Sequence, residues 1–275
     1  EIRSYAEEQN GFEGRRAVLS TEKDLAQKTL TEARDKVQAI GQMASLHREE
    51  QAKRDLAATG EALADAQSAP ENIRPYLVRI AEQNVKFAEM RLGPDSPSAG
   101  IDTARAEGAQ VRAKFNLIYA QWNSVNQRVQ AAGRLSEAVG KLLRLYRADL
   151  PPRREHLTNI RVREALIGNV QLGLIDLTEQ RNKETNDILA DLTKKDKPSD
   201  ETMADLRQAI APYVEAHRDI LENLRNEQDE YLSELYQLND DERKLVRQRD
   251  TFSDYIDQHV LWIASGGILS RADFR

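Results

Sequence analysis

The chain has 275 residues, a formal net charge of −6 at pH 7, no cysteine, 31% charged residues and only 5% aromatic residues. The negative charge argues against a nucleic-acid partner, and the lack of cysteine excludes disulfides and thiolate chemistry. The composition is too polar for a thick globular core but too rich in Leu, Ala and Ile for disorder. It favours thin helical bundles, in which each helix buries one stripe of its surface.

Widely spaced prolines and glycines divide the chain into long segments with helical periodicity and no alternating strand pattern. The breaks fall at Pro70–Pro75, Gly93–Gly100, Pro151–Pro152 and Lys194–Glu201. Between the breaks we expect five helices, at residues 14–68, 71–92, 101–149, 153–194 and 200–264. At a rise of 1.5 Å per residue, the third helix would be roughly 70 Å long, and the fifth helix, if unbroken, would be nearly 100 Å long.

The predicted fold is therefore all-α, with elongated antiparallel helical hairpins forming a coiled-coil-like bundle. We expect three regions: an amino-terminal hairpin region at 1–93, a middle hairpin at 101–194, and a long heptad helix with a tail at 200–275. Two local signals refine the last region. Ser199 is a candidate N-cap, and Pro212 lies inside a helical pattern, where it predicts a kink or a short interruption.

The last predicted helix has the strongest periodicity in the chain. Its heptad seam is formed by Leu224, Tyr231, Leu238, Leu245 and Phe252 at one position, and by Leu235, Ile256 and Ile263 at the interleaved position. Gln228, Glu242 and Arg249 interrupt this seam, where they would fix register or pair with a neighbouring helix. Packing against another helix of the same chain is the expected use of the seam, with self-association as the alternative. On this basis Glu242→Leu is expected to be neutral or stabilising.

Charge is distributed unevenly along the chain. Residues 199–257 are strongly acidic, whereas residues 128–164 carry an excess of Lys and Arg. Solvated helix faces explain such a pattern, and contact between the basic turn and the acidic helix is the second interpretation. The basic cluster consists of Arg144, Arg147, Arg153, Arg154, Arg161 and Arg163, and internal salt bridges or subunit contacts explain it better than phosphate binding does.

No motif in the sequence supports an active site or a cofactor. The four histidines, His47, His156, His217 and His259, lack the spacings of zinc or di-iron sites, so they are interpreted as ordinary surface or seam residues. There is no G-x-G-x-x-G, P-loop or G-x-S-x-G pattern. We therefore expect a protein that is not an enzyme and that holds no metal and no cofactor.

The carboxy-terminal residues cluster apolar side chains and a tryptophan, then reach a Gly-Gly pair. The relevant stretch is Leu261, Trp262, Ile263 and Ser265, followed by Gly266 and Gly267, with Leu269, Ser270 and Asp273 beyond. Together with the preceding heptad, this tail resembles the periplasmic amino-terminal region of the large mechanosensitive channels of small conductance, of the potassium-efflux-associated type. The stretch "LGLIDLTEQRN", Leu172 to Asn182, is similar to a helix midway through the same region of that family.

The resemblance covers about residues 160–275 and implies a non-catalytic periplasmic domain of a channel, concerned with assembly or gating during osmotic stress. It implies a homo-oligomer, a heptamer in the family, attached to the bacterial inner membrane through segments outside this chain. Cell-envelope components or lipid headgroups would be further partners. Trp262 would then lie near the membrane surface, where tryptophan is favoured, and Gly266–Gly267 would end the long helix.

The sequence also allows two alternatives. From the residues alone, Trp262 and Ile263 also suit an apolar plug that caps the bundle. For the whole chain, the rival function is a soluble coiled-coil scaffold or tethering adaptor, which binds partners along its helices. Apolar runs of about 20 residues after Arg275 would support the channel, and further polar heptads would support the scaffold.

Overall fold

The computed structural model of the protein describes residues 2–132, 137–194 and 198–266, and every regular element in those ranges is an α-helix. The helices are α1 (Ile2–Gln67), α2 (Arg74–Glu89), α3 (Pro97–Ala132), α4 (Glu137–Asp149), α5 (Arg153–Arg181), α6 (Thr185–Thr193), α7 (Asp200–Ala209) and α8 (Ala211–Gly266). The prediction of an all-α bundle is confirmed.

The chain divides into two compact units, Glu1–Gln51 and Ala52–Arg275. The first unit consists of the amino-terminal part of α1. The second contains the remainder of α1 and all the other helices, and in it α8 contacts each of α2, α3, α4, α5, α6 and α7. Helix α8 contacts helices from all three of the regions expected from the breakers, and the division into those three regions stays a prediction.

The second unit is organised around α8, which has 56 residues and a length of about 84 Å at 1.5 Å per residue. Helix α3 runs parallel to α8, as shown by ion pairs in which successive arginines of α3 contact successive carboxylates of α8. Arg105 Nε lies 2.9 Å from Glu234 Oε1, and Arg112 NH1 lies 2.8 Å from Asp241 Oδ2.

Helix α5 runs antiparallel to α8 and provides its second major contact. Arg153, at the start of α5, pairs with Asp250 at 2.9 Å, and Arg181, at its end, pairs with Glu222 at 2.5 Å. The chain thus follows α8 in one direction through α3 and returns along it through α5.

Among the described residues, two apolar cores and one small cluster, formed by Leu177, Leu221 and Leu224, fill the spaces between these helices. The core that is larger once partly buried side chains are included lies where α3, α4 and α5 meet α8, and its buried residues are Ala104, Val111, Ile118, Val125, Leu143, Ile167, Val170, Leu235, Leu238, Leu245, Phe252 and Ile256. The other joins the end of α1 and helices α2, α6 and α7 to the start of α8, and its buried residues are Ala66, Ile73, Tyr76, Leu77, Ile80, Ala81, Ile188, Leu189, Leu192, Leu206, Ile210 and Val214. Burying apolar surface of this extent is the main stabilising contribution to such a bundle.

The third predicted helix begins earlier than expected. The loop predicted at Gly93–Gly100 ends at Ser96, whose Oγ accepts a hydrogen bond of 3.2 Å from the backbone N–H of Ala99. Pro97 occupies the first position of α3, where its missing N–H is not needed and its fixed φ suits a helix. Residues 133–136, between α3 and α4, lie outside the described residues, so the expected helix at 101–149 is represented by these two helices.

The single helix expected at 153–194 is wrong, because the chain divides there into α5 and α6. Asn182 caps the end of α5, and Glu184 begins α6 in a capping box with Asp187, whose Oδ2 accepts a 3.2 Å hydrogen bond from the Glu184 N–H. Arg218 of α8 donates to the carbonyl of Lys183 at 3.1 Å and holds the connection. A contact from a distant helix, rather than a proline or glycine, therefore stabilises this break.

The two local signals near residue 200 are confirmed. Ser199 is the N-cap of α7, with its Oγ accepting from the Thr202 N–H at 3.2 Å. Helix α7 ends at Ala209 and α8 begins at Ala211, so Pro212 lies in the first turn of α8, as the predicted short interruption requires.

Candidate functional site

The candidate site consists of the buried face of α8, the groove beside that face, and the tail at the carboxy-terminal end of α8. The predicted seam residues Leu224, Leu235, Leu238, Leu245, Phe252 and Ile256 are each no more than 3% exposed, and Tyr231 is partly buried. The ring of Tyr231 lies against Gly100 of α3, where an added Cβ would be 2.7 Å from the ring. Glycine at this position therefore lets α3 approach α8 closely.

Glu242 lies in the middle of this seam and is only 1% exposed. Three side chains of α5 bind its carboxylate: Arg163 NH1 lies 2.6 Å from Oε2, while His156 Nδ1 lies 2.9 Å and Asn159 Nδ2 3.1 Å from Oε1. Arg163 NH1 also lies 3.4 Å from Asn239 Oδ1. We call Glu242, His156, Asn159, Arg163 and Asn239 the polar cluster. In this cluster, the buried carboxylate of Glu242 is satisfied by one guanidinium and by two further side-chain donors.

The protonation of the cluster follows from these contacts. Burial by itself would raise the pKa of Glu242, but the hydrogen bonds from His156, Arg163 and Asn159 outweigh burial and lower that pKa below its ordinary value. The carboxylate is therefore ionised near neutral pH and can only accept hydrogen bonds. His156 Nδ1 must then carry the hydrogen in this contact, which fixes the orientation of the imidazole ring.

An open groove between α3 and α5 lies above the polar cluster. Its sides include Glu107 and Lys114 of α3 and the apolar Val162 and Leu166 of α5, and Glu242 lies at its base. It contains a carboxylate, an imidazole and a guanidinium, but these groups are engaged with one another. Within the ranges that the structure describes, no group of three or more histidine, aspartate and glutamate side chains is placed to hold a metal ion.

A second buried ion pair joins the carboxy-terminal part of α1 to α8. Arg91, just after α2, is 3% exposed, and its NH2 lies 2.8 Å from Glu227 Oε1. The same guanidinium pairs with Asp55 of α1, which also accepts a 3.3 Å hydrogen bond from Asn223. One arginine thus connects three segments of the second unit, a geometry that suits the planar guanidinium.

A third buried polar contact involves His217 near the start of α8. Asn84 Nδ2 donates to the Tyr213 carbonyl at 3.0 Å, so its Oδ1 faces His217 and accepts from Nδ1 at 2.7 Å. Burial, and then the positive charges of Lys183 and Arg218, lower the pKa of His217 to about 4. This histidine is therefore neutral over the physiological range.

The basic turn predicted from the sequence contacts the acidic helix within one chain. Arg147 of α4 lies 3.1 Å from Asp257 and donates to Ser253, and Arg153 lies 2.9 Å from Asp250. This pairing confirms the interpretation of the basic cluster as internal salt bridges for these residues and for the buried Arg163. Arg144, Arg154 and Arg161 are exposed.

The tail predicted to lie near a membrane falls at the limit of the described residues. The backbone of Leu261, Trp262, Ile263, Ser265 and Gly266 forms the last turns of α8. Their side chains, and Gly267 to Arg275 entirely, lie outside the described residues. The expected roles of Trp262 and of the Gly266–Gly267 pair therefore stay predictions.

Sequence reasoning identified Glu242 as an interruption of the seam but missed all its partners. A signal was present, since His156, Asn159 and Arg163 are spaced by three and four residues and lie on the same face as the buried Ile160. Polar side chains repeated on the core face of a helix predict a buried polar contact.

Comparison of the chain with protein-family models, with curated proteins and with solved structures gives no match. No helix in the described part of the chain is long and apolar enough to cross a membrane. A proposal for the function therefore depends on the geometry of the site and on the resemblance of the tail.

Proposed function

We propose that the chain is a non-catalytic periplasmic region of a large mechanosensitive channel, which takes part in assembly or in gating during osmotic stress. The resemblance of Leu261–Ser265 and the preceding heptad to the juxtamembrane helix of that family supports the proposal. Under it, membrane spans follow Arg275, the chain is attached to the inner membrane through them, and the whole channel is a homo-oligomer with seven subunits.

The observation that carries the proposal is that α8 forms the buried seam and also continues, in its backbone, into the first residues of the tail. A single helix, Ala211–Gly266, includes the residues that hold α3 and α5 and also includes Trp262. Because a helix is stiff along its axis, a displacement of the tail would be transmitted to the seam rather than absorbed by a loop. The bundle is therefore suited to respond to movement of a membrane next to it.

The polar cluster determines whether α5 moves together with α8 when α8 is displaced. Moving α5 by one helical turn along α8 would displace it by about 5.4 Å and separate Arg163 from Glu242. Such a shift leaves buried charges unpaired, at a cost of several kcal/mol. The cluster therefore keeps α5 in one register and makes α5 and α8 move together.

The test is electrical and uses the full-length protein. We expect the protein, reconstituted in giant liposomes, to give currents when suction is applied to an excised patch. Replacing Gly266 and Gly267 together with alanine should change the tension required, because alanine favours helix by about 1 kcal/mol per residue over glycine. Gly168→Ala, on α5 with no atom within 4 Å of an added Cβ, is the matched control and should leave the threshold unchanged.

The second candidate function is a soluble scaffold or tethering protein. The observation that favours it is the row of exposed apolar side chains on the first unit, including Leu30, Val37 and Ile40. Correctly inserted full-length protein that gives no tension-dependent current would overturn the channel proposal. A full-length protein that stays in solution without detergent would support the scaffold instead.

A further inference from the structure

The first unit exposes more large apolar side chains than a solvated helix needs. Between residues 18 and 46 of α1, each of these side chains is between 49% and 70% exposed: Val18, Leu19, Leu25, Leu30, Val37, Ile40, Met43 and Leu46. Exposed apolar surface that is contiguous along one helix marks an interaction site rather than chance exposure.

Part of this surface follows a heptad repeat. Alternating steps of four and three residues, with Lys23 as the one polar position, connect Leu19, Lys23, Ala26, Leu30, Ala33, Val37, Ile40 and Ala44. We call this set the 19–44 stripe. A strict seven-residue repeat keeps a stripe facing one partner helix only if the two helices coil around each other. The occupant that fits the stripe is therefore another helix with the same repeat.

The order of large and small residues along the stripe is complementary to its own reverse order. If a second copy runs antiparallel, with the two-fold axis between Thr31 and Glu32, Leu30 faces Ala33 of the second copy. In the same arrangement Val37 faces Ala26, and the two copies repeat each contact by symmetry. Pairs of one large and one small residue fill successive layers evenly, which is what close packing of two helices requires.

The outer layers of the same arrangement follow the same rule. Leu19 faces Ala44 of the second copy, and Ile40 faces Lys23. The aliphatic part of a lysine can lie along an isoleucine while the ammonium group reaches water. A parallel pair would instead set Ala26 against Ala26, leaving gaps between layers of large residues.

Two further observations favour a second copy over the rest of this chain. The apolar heptad of α8 is already buried against α3 and α5, with Leu238 and Leu245 no more than 2% exposed. Residues 18–51 contain nearly equal numbers of acidic and basic residues, interspersed along the helix, so two copies of this segment do not repel each other.

We propose that the 19–44 stripe binds a second copy of this chain as an antiparallel two-helix coiled coil. This self-association does not depend on the channel proposal. Seven subunits of one ring cannot all pair through two-fold axes, so within a channel the contact would join subunits of different rings. In a scaffold, it would join two chains.

The first experiment measures mass in solution. The 275-residue chain should sediment as a dimer whose fraction rises with concentration, and Val37→Asp should convert it to a monomer with unchanged helix content. Leu172→Asp is the matched control, because Leu172 is also exposed but lies on α5, and it should leave the dimer intact. A wild-type chain that is monomeric at all concentrations overturns the proposal, as does a dimer that Val37→Asp leaves unchanged.

The second experiment tests the orientation by disulfide formation, which is free of background because the chain has no cysteine. Chains carrying Leu19→Cys are mixed with chains carrying Ala44→Cys and then oxidised. The antiparallel pair predicts a mixed disulfide between the two variants. Disulfides only between identical variants would indicate a parallel pair and overturn the proposed arrangement. A stripe that instead packs on its own chain would be recognised by a monomer whose thermal stability falls on Val37→Asp.

Discussion

Replacing Glu242 with leucine tests the polar cluster directly, because it removes one carboxylate and leaves its partners in place. Arg163 and His156 are 8% and 3% exposed, so water cannot replace the lost acceptor without a change in packing. Removing one member of a buried ion pair costs about 3–5 kcal/mol. We therefore expect Glu242→Leu to lower the free energy of unfolding by about that amount, measured by urea unfolding monitored by circular dichroism.

The matched control is Glu164→Leu, because Glu164 forms a 2.5 Å pair with Arg243 at the surface, where both side chains are about half exposed. It should change the free energy of unfolding by less than about 1 kcal/mol. The double variant Glu242→Leu with Arg163→Met removes both buried charges and should recover much of the loss. A Glu242→Leu variant as stable as the control would refute the reasoning, and would agree with the expectation from the heptad alone.

Three further predictions concern single positions. Leu245→Asp places a charge in the buried seam and should cost several kcal/mol, whereas Leu172→Asp on an exposed surface should cost little; equal melting temperatures would contradict the seam. Because His217 has a pKa of about 4 and an unfolded histidine one of about 6.5, protonation favours the unfolded chain. Stability should therefore fall as the pH drops from about 6.5 to 4, by up to about 3 kcal/mol. His217→Gln should remove this part of the slope and the exposed His47→Gln should keep it; identical pH profiles would refute the assignment. Gly168→Ala should raise the free energy of unfolding by about 1 kcal/mol, and a loss would mean that this face of α5 is covered.

The apolar periodicity of the sequence was sufficient to predict the class of fold and the buried face of α8. Positions such as Leu238 and Phe252 repeat every seven residues, and a stripe of that period must face other helices whatever those helices are. The short interruption at Pro212 was predictable for a similar reason, since proline lacks the N–H that a helix interior uses.

The partners of that face could not be predicted in the same way. A repeat identifies the side of a helix that is buried, but not which helix covers it or in which direction that helix runs. From the sequence, Glu242 was therefore predicted to be an unfavourable interruption of the heptad seam. In the structure, its three hydrogen-bond donors lie on α5, about 80 residues away in the sequence. Pairing between distant residues depends on register, which a single sequence does not specify.

The break between α5 and α6 was missed for a related reason. No proline or glycine marks it, and the capping box formed by Glu184 and Asp187 is an uncommon variant with Glu at the cap. The contact of Arg218 with the Lys183 carbonyl stabilises the turn from another helix. Rules for predicting helix ends from sequence use the propensity of each segment, and they do not include such a tertiary contact.

The two tryptophans of the chain allow the most direct test of the proposed function. Trp122 packs against the larger core, whereas Trp262 belongs to the tail. Each is replaced with alanine, and two quantities are compared: the free energy of unfolding of the 275-residue chain and the opening tension of the full-length protein in patches. The account predicts that Trp122→Ala lowers the stability, and that Trp262→Ala leaves the stability nearly unchanged but alters the opening tension. A Trp262→Ala variant that destabilises the chain by about 3 kcal/mol, as for a buried aromatic residue, and leaves gating untouched would contradict it.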